Sequence, residues 1–254
     1  MKTVDPKYID ILKKYDSPTI CNVIELFKIR PQNTGFLHHS IRSLFPELPP
    51  MVGYAVTRKF SSAKKPAGDT VEYDDIGKQV EAVLSVPAPR VVVFQDVDEE
   101  PVGASFGEVV ASTYMAFGCV GIITSGGARD TVAIRKRGLP LFARSQNVSH
   151  GYPRGVAINV PIEVGGVTIK PGDLLHGDAD GVTTIPIDLA PEIALICKQF
   201  TAKEREWLDY VDSGNATSEG VSISCGKFAE YRNSHAENLE RIRRKLKISE
   251  VQIG

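Results

Sequence analysis

Through the middle of this chain, short unbroken runs of β-branched residues alternate with amphipathic stretches, a pattern that predicts a parallel sheet crossed by helices. Val91 to Gln95 reads as a strand covered on both faces. Glu108 to Phe117 reads as a helix stopped by Gly118 in the C′ position. Val120 to Thr124 is a second buried strand, followed by a tight loop at Ser125-Gly126-Gly127-Ala128. Asp130 to Arg137 is a short helix ended by Gly138, and Pro140 to Ala143 is a third strand. Strand, helix, strand, helix, strand with short links implies parallel pairing and right-handed crossovers.

Upstream, Ser17-Pro18 supplies an N-cap and a first-turn proline for a helix whose apolar stripe is Ile20, Val23, Ile24 and Phe27. A proline-rich connection from Lys28 to Pro50 is long for a structureless loop, so it is expected to cross a neighbouring subunit or close over a site. Met51 to Phe60 looks like a strand, and residues 71 to 84 look helical, with Val71, Ile76, Val80, Val83 and Leu84 on the buried face. Downstream the period changes. Ala157 to Pro161, Ile162 to Val164, Val167 to Ile169 and Val182 to Ile185 are short β-like runs divided by turns such as Gly165-Gly166 and Lys170-Pro171-Gly172-Asp173. They predict antiparallel structure, as a second layer or a closed barrel. Pro191 to Val211 and Gly226 to Leu246 read as charged helices. The chain thus divides into a main domain, 1–190, and a helical C-terminal extension, 191–254.

Composition narrows the partners. Thirty basic against thirty-one acidic residues give a net charge of -1, so no single-sign field attracts nucleic acid or an anionic membrane. The longest apolar runs are too short to span a bilayer, and the start lacks a secretory signal pattern, which makes the cytoplasm the default expectation. Cys21, Cys119, Cys197 and Cys225 show no metal-binding spacing and read as reduced, mostly buried thiols. The five histidines are scattered too. A bound metal would therefore take carboxylates and water, which favours a hard ion such as magnesium.

Loops leaving the carboxyl ends of parallel strands open on one side, where ligands bind in open α/β sheets. One such loop delivers Gly107-Glu108, the next Arg129-Asp130, and twenty residues separate Glu108 from Arg129, enough for one helix and one strand. Arg129 suits a two-point grip on a carboxylate. The amides of Val109 and Val110, at the start of a helix, suit the oxygens of an anion. Asp130 suits a divalent ion, with Glu108 reaching it directly or through water, and Gly107, Gly126 and Gly127 let backbone approach a ligand. Each residue alone also has a structural explanation: Glu108 as a first-turn charge, Asp130 as an N-cap, Arg129 as a surface residue. Their convergence on one rim is what points to a small oxo-acid or dicarboxylate site.

Gly107-Glu108-Val109-Val110, Gly118-Cys119-Val120-Gly121-Ile122-Ile123 and Gly127-Ala128-Arg129-Asp130 together resemble the RraA-like family, which includes class II pyruvate aldolases acting on 4-hydroxy-4-methyl-2-oxoglutarate and 4-carboxy-4-hydroxy-2-oxoadipate. Pro140-Leu141-Phe142-Ala143, the run from Gly165 to Asp173 and Asp178-Ala179-Asp180-Gly181-Val182 match as well, so the likeness covers roughly residues 17 to 190. The resemblance implies an α/β fold of three layers, β/β/α, of swivelling-domain type, assembled as trimers or hexamers with sites at subunit interfaces. It implies a lyase that uses magnesium, or manganese, to cleave a 4-hydroxy-2-oxo acid to pyruvate or to decarboxylate oxaloacetate through a metal-stabilised enolate. Carried over by position, Asp130 is the direct metal ligand and Arg129 holds pyruvate and steadies its enolate. Glu108 acts through a metal-bound water, and Gly107, Val109 and Val110 line the pyruvate carboxylate.

The chain departs from the pattern where Ala133 replaces a carboxylate three residues after the Arg-Asp pair, and where Ser125-Gly126 stands in place of Asp-Gly. Two other readings follow from the same resemblance. One is a non-catalytic regulator that binds a ribonuclease, and the other is a hydro-lyase or decarboxylase of another oxo or sugar acid. Retention of Arg129-Asp130 favours catalysis, and no Gly-rich loop for adenosylmethionine is present.

Overall fold

The computed structural model describes residues 1–65 and 76–245. By chain contacts it forms two compact units. The first contains Met1–Val4 and Gly35–Ile187, and the second Asp5–Thr34 with the chain from Asp188 onward.

In the second unit, α1 (Pro6–Leu12) and α2 (Ser17–Leu26) pack on α6 (Ala190–Asp212), which also packs on α7 (Ser218–Lys245). Two details differ from expectation. Asp16, not Ser17, caps α2, its Oδ1 accepting the Thr19 N–H at 2.7 Å, and α7 starts eight residues before the predicted Gly226. Leu246 lies outside the described residues. Phe200 and Phe228 meet edge to face with centroids 5.3 Å apart, holding α6 to α7.

The first unit is built on one mixed sheet. Its strands are β1 (Arg42–Ser43), β2 (Met51–Ser61), β3 (Arg90–Asp96), β4 (Cys119–Ala128), β5 (Leu141–Gln146), β6 (Arg154–Ile158), β9 (Leu174–Asp178) and β10 (Gly181–Ile185). The order is β1-β5-β4-β3-β2-β9-β10, with β6 pairing separately with β2. The predicted parallel unit is present: β2, β3, β4 and β5 run parallel, with α4 (Glu108–Ala116) and α5 (Thr131–Lys136) as crossovers. The remaining helix, α3 (Ile76–Leu84), covers the later part of the predicted 71–84 helix, and Val71 lies outside the described residues.

Alternation along each strand divides the sheet's faces. One face carries Ala55, Val91, Val93, Ile123 and Phe142, which meet Ile162, Val164 and Ile169 of the hairpin β7 (Ile162–Val164) and β8 (Val167–Ile169) in a single buried cluster. Each of the Val, Ile and Phe side chains contributes about 1.5–3 kcal/mol on full burial. The opposite face carries Phe60 and Phe94, and Phe94 stacks on Phe106 at 5.4 Å and lies 6.4 Å from the Tyr114 ring of α4. Hairpin, sheet and helices make three layers, and the α/β class with a helical C-terminal region is as expected. The antiparallel strands divide differently from the prediction, since β6, β9 and β10 extend the main sheet and only β7–β8 stands apart. The connection from Gly35 to Pro50 is fastened within this unit, Leu37 N–H donating to the Val182 carbonyl and β1 pairing with β5.

The expected tight loop at Ser125–Ala128 is instead the end of β4. Register with β5 shifts between Thr124 and Gly127, after which Gly127 pairs with Ser145 and Ala128 with Gln146. The glycine that suggested a turn serves a close approach: a Cβ on Gly126 would stand 2.5 Å from the Asp96 carboxylate. Two of the four thiols, Cys119 and Cys197, are buried, whereas Cys225 is exposed. Among the described residues no helix is long and apolar enough to cross a membrane.

Candidate functional site

Strands β3 and β4 end on the same rim, and the segment after β3 folds back along β4. Ala104 bridges Gly127, Ser105 N–H donates to the Gly127 carbonyl at 2.8 Å, and the Ser105 and Thr124 hydroxyls lie 2.8 Å apart in a buried contact. Arg129 N–H then donates to the Phe106 carbonyl at 3.4 Å. This lacing brings Gly107-Glu108 against Arg129-Asp130, although the two segments are separated by a full helix and strand.

Asp130 adopts a left-handed conformation, φ 56° and ψ 29°, that few residues other than glycine, asparagine and aspartate enter readily. It stands at the N-cap of α5, its carbonyl accepting the Ala133 and Ile134 amides, but its side chain makes no capping bond. Its Oδ2 instead accepts the Glu108 N–H at 3.0 Å, so it occupies the first free amide of the neighbouring helix α4. Arg129 Nε lies 3.8 Å from the same carboxylate. Gly107 permits this assembly, because a Cβ there would overlap Asp130 Oδ2 and stand 3.0 Å from Arg129 Nε. Both side chains of the pair keep water access, 35% exposed for Arg129 and 46% for Asp130.

Gly107, Glu108, Arg129 and Asp130 therefore meet as expected. Glu108 and Asp130 line an open cavity of about 720 Å³ together with Ala133, Lys136 and Arg137. Val109 and Val110 lie one residue further on, and their side chains line a separate cavity of about 360 Å³ beside Arg58, Ser105 and Thr113. Their amides belong to the first turn of α4, where the regular helical bonds begin only with Ala111 N–H donating to Gly107.

Two features escaped the sequence reading. Arg137, at the end of α5, donates from Nε and Nη2 to Glu108 Oε1 at 3.1 and 2.9 Å. In the sequence it only closes the helix expected over 130–137, one turn after Ala133, where the family pattern has a carboxylate. The other is Asp96 at the end of β3, 8% exposed, with Oδ2 buried and unbonded and a pKa pushed up to about 6 chiefly by burial. Its other oxygen accepts the Asp98 N–H at 3.0 Å.

Among the described residues no three carboxylate, imidazole or thiol side chains gather to hold a metal. Asp130, with Glu108 opposite, offers one or two carboxylates and open solvent. Such a donor set fits magnesium, which retains waters and shares its shell with substrate oxygens, and does not fit a caged zinc or calcium ion.

The architecture and the rim define an α/β protein of the RraA type. The RraA-like family model, described as Aldolase/RraA, matches residues 19–184, and the chain belongs to that family. A relative from Halalkalibacterium halodurans named "Putative 4-hydroxy-4-methyl-2-oxoglutarate aldolase" is 38% identical over 100 residues, covering 39% of this chain and about half (48%) of that protein. An uncharacterized protein of Methanocaldococcus jannaschii is 26% identical over 208 residues, covering 81% of this chain and 89% of its own length. Among solved structures, an uncharacterized protein of Pseudomonas syringae pv. tomato superposes with a TM-score of 0.67 at 22% identity, over 87% of this chain and all (100%) of that one. Streptomyces coelicolor RraAS2, described as an unusual member of the RNase ES inhibitor RraA family, superposes at 0.63 and 22% identity, over 80% of this chain and 99% of its own. Both likenesses concern the fold.

Proposed function

We propose that this protein is a divalent-metal-dependent lyase that cleaves a 4-hydroxy-2-oxo acid to pyruvate by retro-aldol chemistry, working as a homo-oligomer without nucleic-acid or membrane partners. The observation that carries the reading is the Asp130 carboxylate, held by the Glu108 amide at 3.0 Å beside Arg129 on the rim of the parallel sheet. Family membership and a relative named for this activity support it.

In this reading Asp130 would hold magnesium or manganese. Such an ion, when bound, would supply Lewis acidity toward the 2-oxo group. Arg129 grips the substrate carboxylate and faces the negative charge that grows on the 2-oxo oxygen as the C3–C4 bond breaks. The electron pair of that bond passes to C3, and C4 becomes a carbonyl. Glu108, through a water molecule, takes the proton of the 4-hydroxyl and returns one to C3, completing pyruvate. The first-turn amides of Val109 and Val110 supply further donors for the carboxylate. Loss of carbon dioxide from oxaloacetate passes through the same enolate, so the same residues serve both reactions.

The test is pyruvate release from 4-hydroxy-4-methyl-2-oxoglutarate and from oxaloacetate, followed with a coupled dehydrogenase. Release should require magnesium, stop in EDTA, and fall about a thousandfold or more in Arg129→Ala and Asp130→Ala proteins that melt like the native chain. A protein inert toward both acids, yet able to inhibit a ribonuclease E-type enzyme by direct contact, would instead be a regulator.

A further inference from the structure

We infer that Arg137 is a positioning residue that fixes the Glu108 carboxylate so that one chosen oxygen, Oε2, handles the proton, an inference that rests on the lyase reading above. Glu108 is held by both ends of α5. Its backbone N–H donates at 3.0 Å to Oδ2 of Asp130, the N-cap of that helix. Its side-chain Oε1 accepts Nε–H and Nη2–H of Arg137, the C-cap, at 3.1 and 2.9 Å. Both N–H groups converge on that single oxygen, and Oε2 has no hydrogen-bond partner among the described residues. Lys136 lines the same open cavity as Glu108, Asp130 and Arg137, but among the described residues only Arg137 bonds to the Glu108 side chain.

The departure at Ala133 makes this contact possible. A glutamate there would stand four residues before Arg137 on the same helix face, the spacing at which glutamate and a cation pair, and would take the guanidinium for itself. With a methyl group at 133 the arginine turns to the neighbouring helix instead. The two side chains are 46% and 40% exposed, and an ion pair so open to water contributes little to stability. Its effect is on orientation. A glutamate side chain without a partner samples several rotamers, whereas proton transfer through a water needs the accepting oxygen within hydrogen-bond reach of that water. Two N–H groups on Oε1 select one arrangement. They leave Oε2 as the oxygen that takes the proton of the 4-hydroxyl through water and returns one to C3, while the Arg137 pair stays closed throughout.

Two rates and one affinity test the assignment. The rates are pyruvate release from 4-hydroxy-4-methyl-2-oxoglutarate, and entry of solvent deuterium into the methyl group of pyruvate, which needs the proton step but no bond cleavage. Arg137→Ala should lower kcat for release and the exchange rate about tenfold, with KM within about twofold of native, and Arg137→Lys should recover part of the loss. Lys136→Ala removes an equal charge from the same cavity without touching Glu108, and should leave both rates near native. In a Glu108→Ala background, adding Arg137→Ala should cost nothing further, because the arginine acts only through that carboxylate. Manganese affinity, read by electron paramagnetic resonance, should shift no more in Arg137→Ala than in Lys136→Ala. Native kcat in Arg137→Ala, an equal loss in Lys136→Ala, an additive loss in the double variant, or a manganese shift confined to Arg137→Ala overturns the role of Arg137 and leaves the lyase reading standing. A native protein that shows neither rate overturns both.

Discussion

Two aspartates stand at the rim of the same sheet, Asp96 at the end of β3 and Asp130 just past the end of β4, and their surroundings are opposite. Asp130 is about half exposed and accepts the Glu108 amide, with Arg129 nearby and an open cavity in front. Asp96 is buried beneath the β4 bulge, with one oxygen on the Asp98 amide and the other on nothing. A carboxylate with water access and a cation beside it can bind and release ligands at small cost. One sealed between strands resists its own charge and shifts toward the neutral form. Identical side chains one strand apart thus serve different ends, and the difference lies in whether solvent reaches them.

The comparison breaks most visibly at Gly107. An added methyl there overlaps the Asp130 carboxylate, so Gly107→Ala should displace Asp130 and Arg129 together. Pyruvate release is expected to drop about a hundredfold, roughly 3 kcal/mol of transition-state stabilisation, with circular dichroism and melting temperature close to native. An alanine variant with full activity would detach the pair from the chemistry.

A smaller effect, on stability instead of rate, is expected at Asp96. Its folded-state pKa of about 6 stands above the ordinary 3.8, so the folded chain holds that proton more tightly than the unfolded one. The resulting stability is fully present below pH 3.8 and is lost as the pH rises through about 6. Asp96→Asn removes the charge and retains an acceptor for the Asp98 amide. It should raise unfolding free energy by about 2 kcal/mol at pH 8 and change it little at pH 4, as read by urea titration at both values. Equal effects at the two pH values would mean that the buried charge is not the cause.

The smallest effect belongs to a surface pair on the outer side of α5. Arg135 Nε donates to Glu47 at 2.5 Å, with the two side chains 59% and 44% exposed. Glu47→Ala should leave melting temperature and pyruvate release indistinguishable from native. A clear loss of either would show that solvent exposure is a poor guide to which rim charges matter.

The parallel unit was legible because Val91–Phe94 and Val120–Thr124 read as short buried strands, and the helices that follow them are stopped by glycines, Gly118 and Gly138, both at positive φ. The meeting of Glu108 with Arg129-Asp130 was legible for the same reason, since strand-helix-strand spacing returns both loops to one rim. β9 was not legible: Leu174-Leu175-His176-Gly177-Asp178 has no β-branched residue, and it is a buried strand only because β2 and β10 pair on either side. The β4 extension was hidden because Gly126-Gly127 carries the composition of a turn, and its role as a close approach depends on Asp96 of β3 and Asn147 just past β5, neighbours distant in the sequence. Arg137 was hidden because an arginine at the end of a helix has an ordinary explanation, and only the fold reveals that Glu108 lies within its reach.

The left-handed backbone at Asp130 carries one more consequence. Asparagine enters that conformation as readily as aspartate and keeps a carbonyl oxygen for the Glu108 amide. Exchanging one oxygen for an amide nitrogen would therefore spare the shape of the rim while deleting its anion. Evolution can switch off such a site at this position and keep the scaffold for another task, and descendants silenced in this way would still be indistinguishable from working ones in backbone outline.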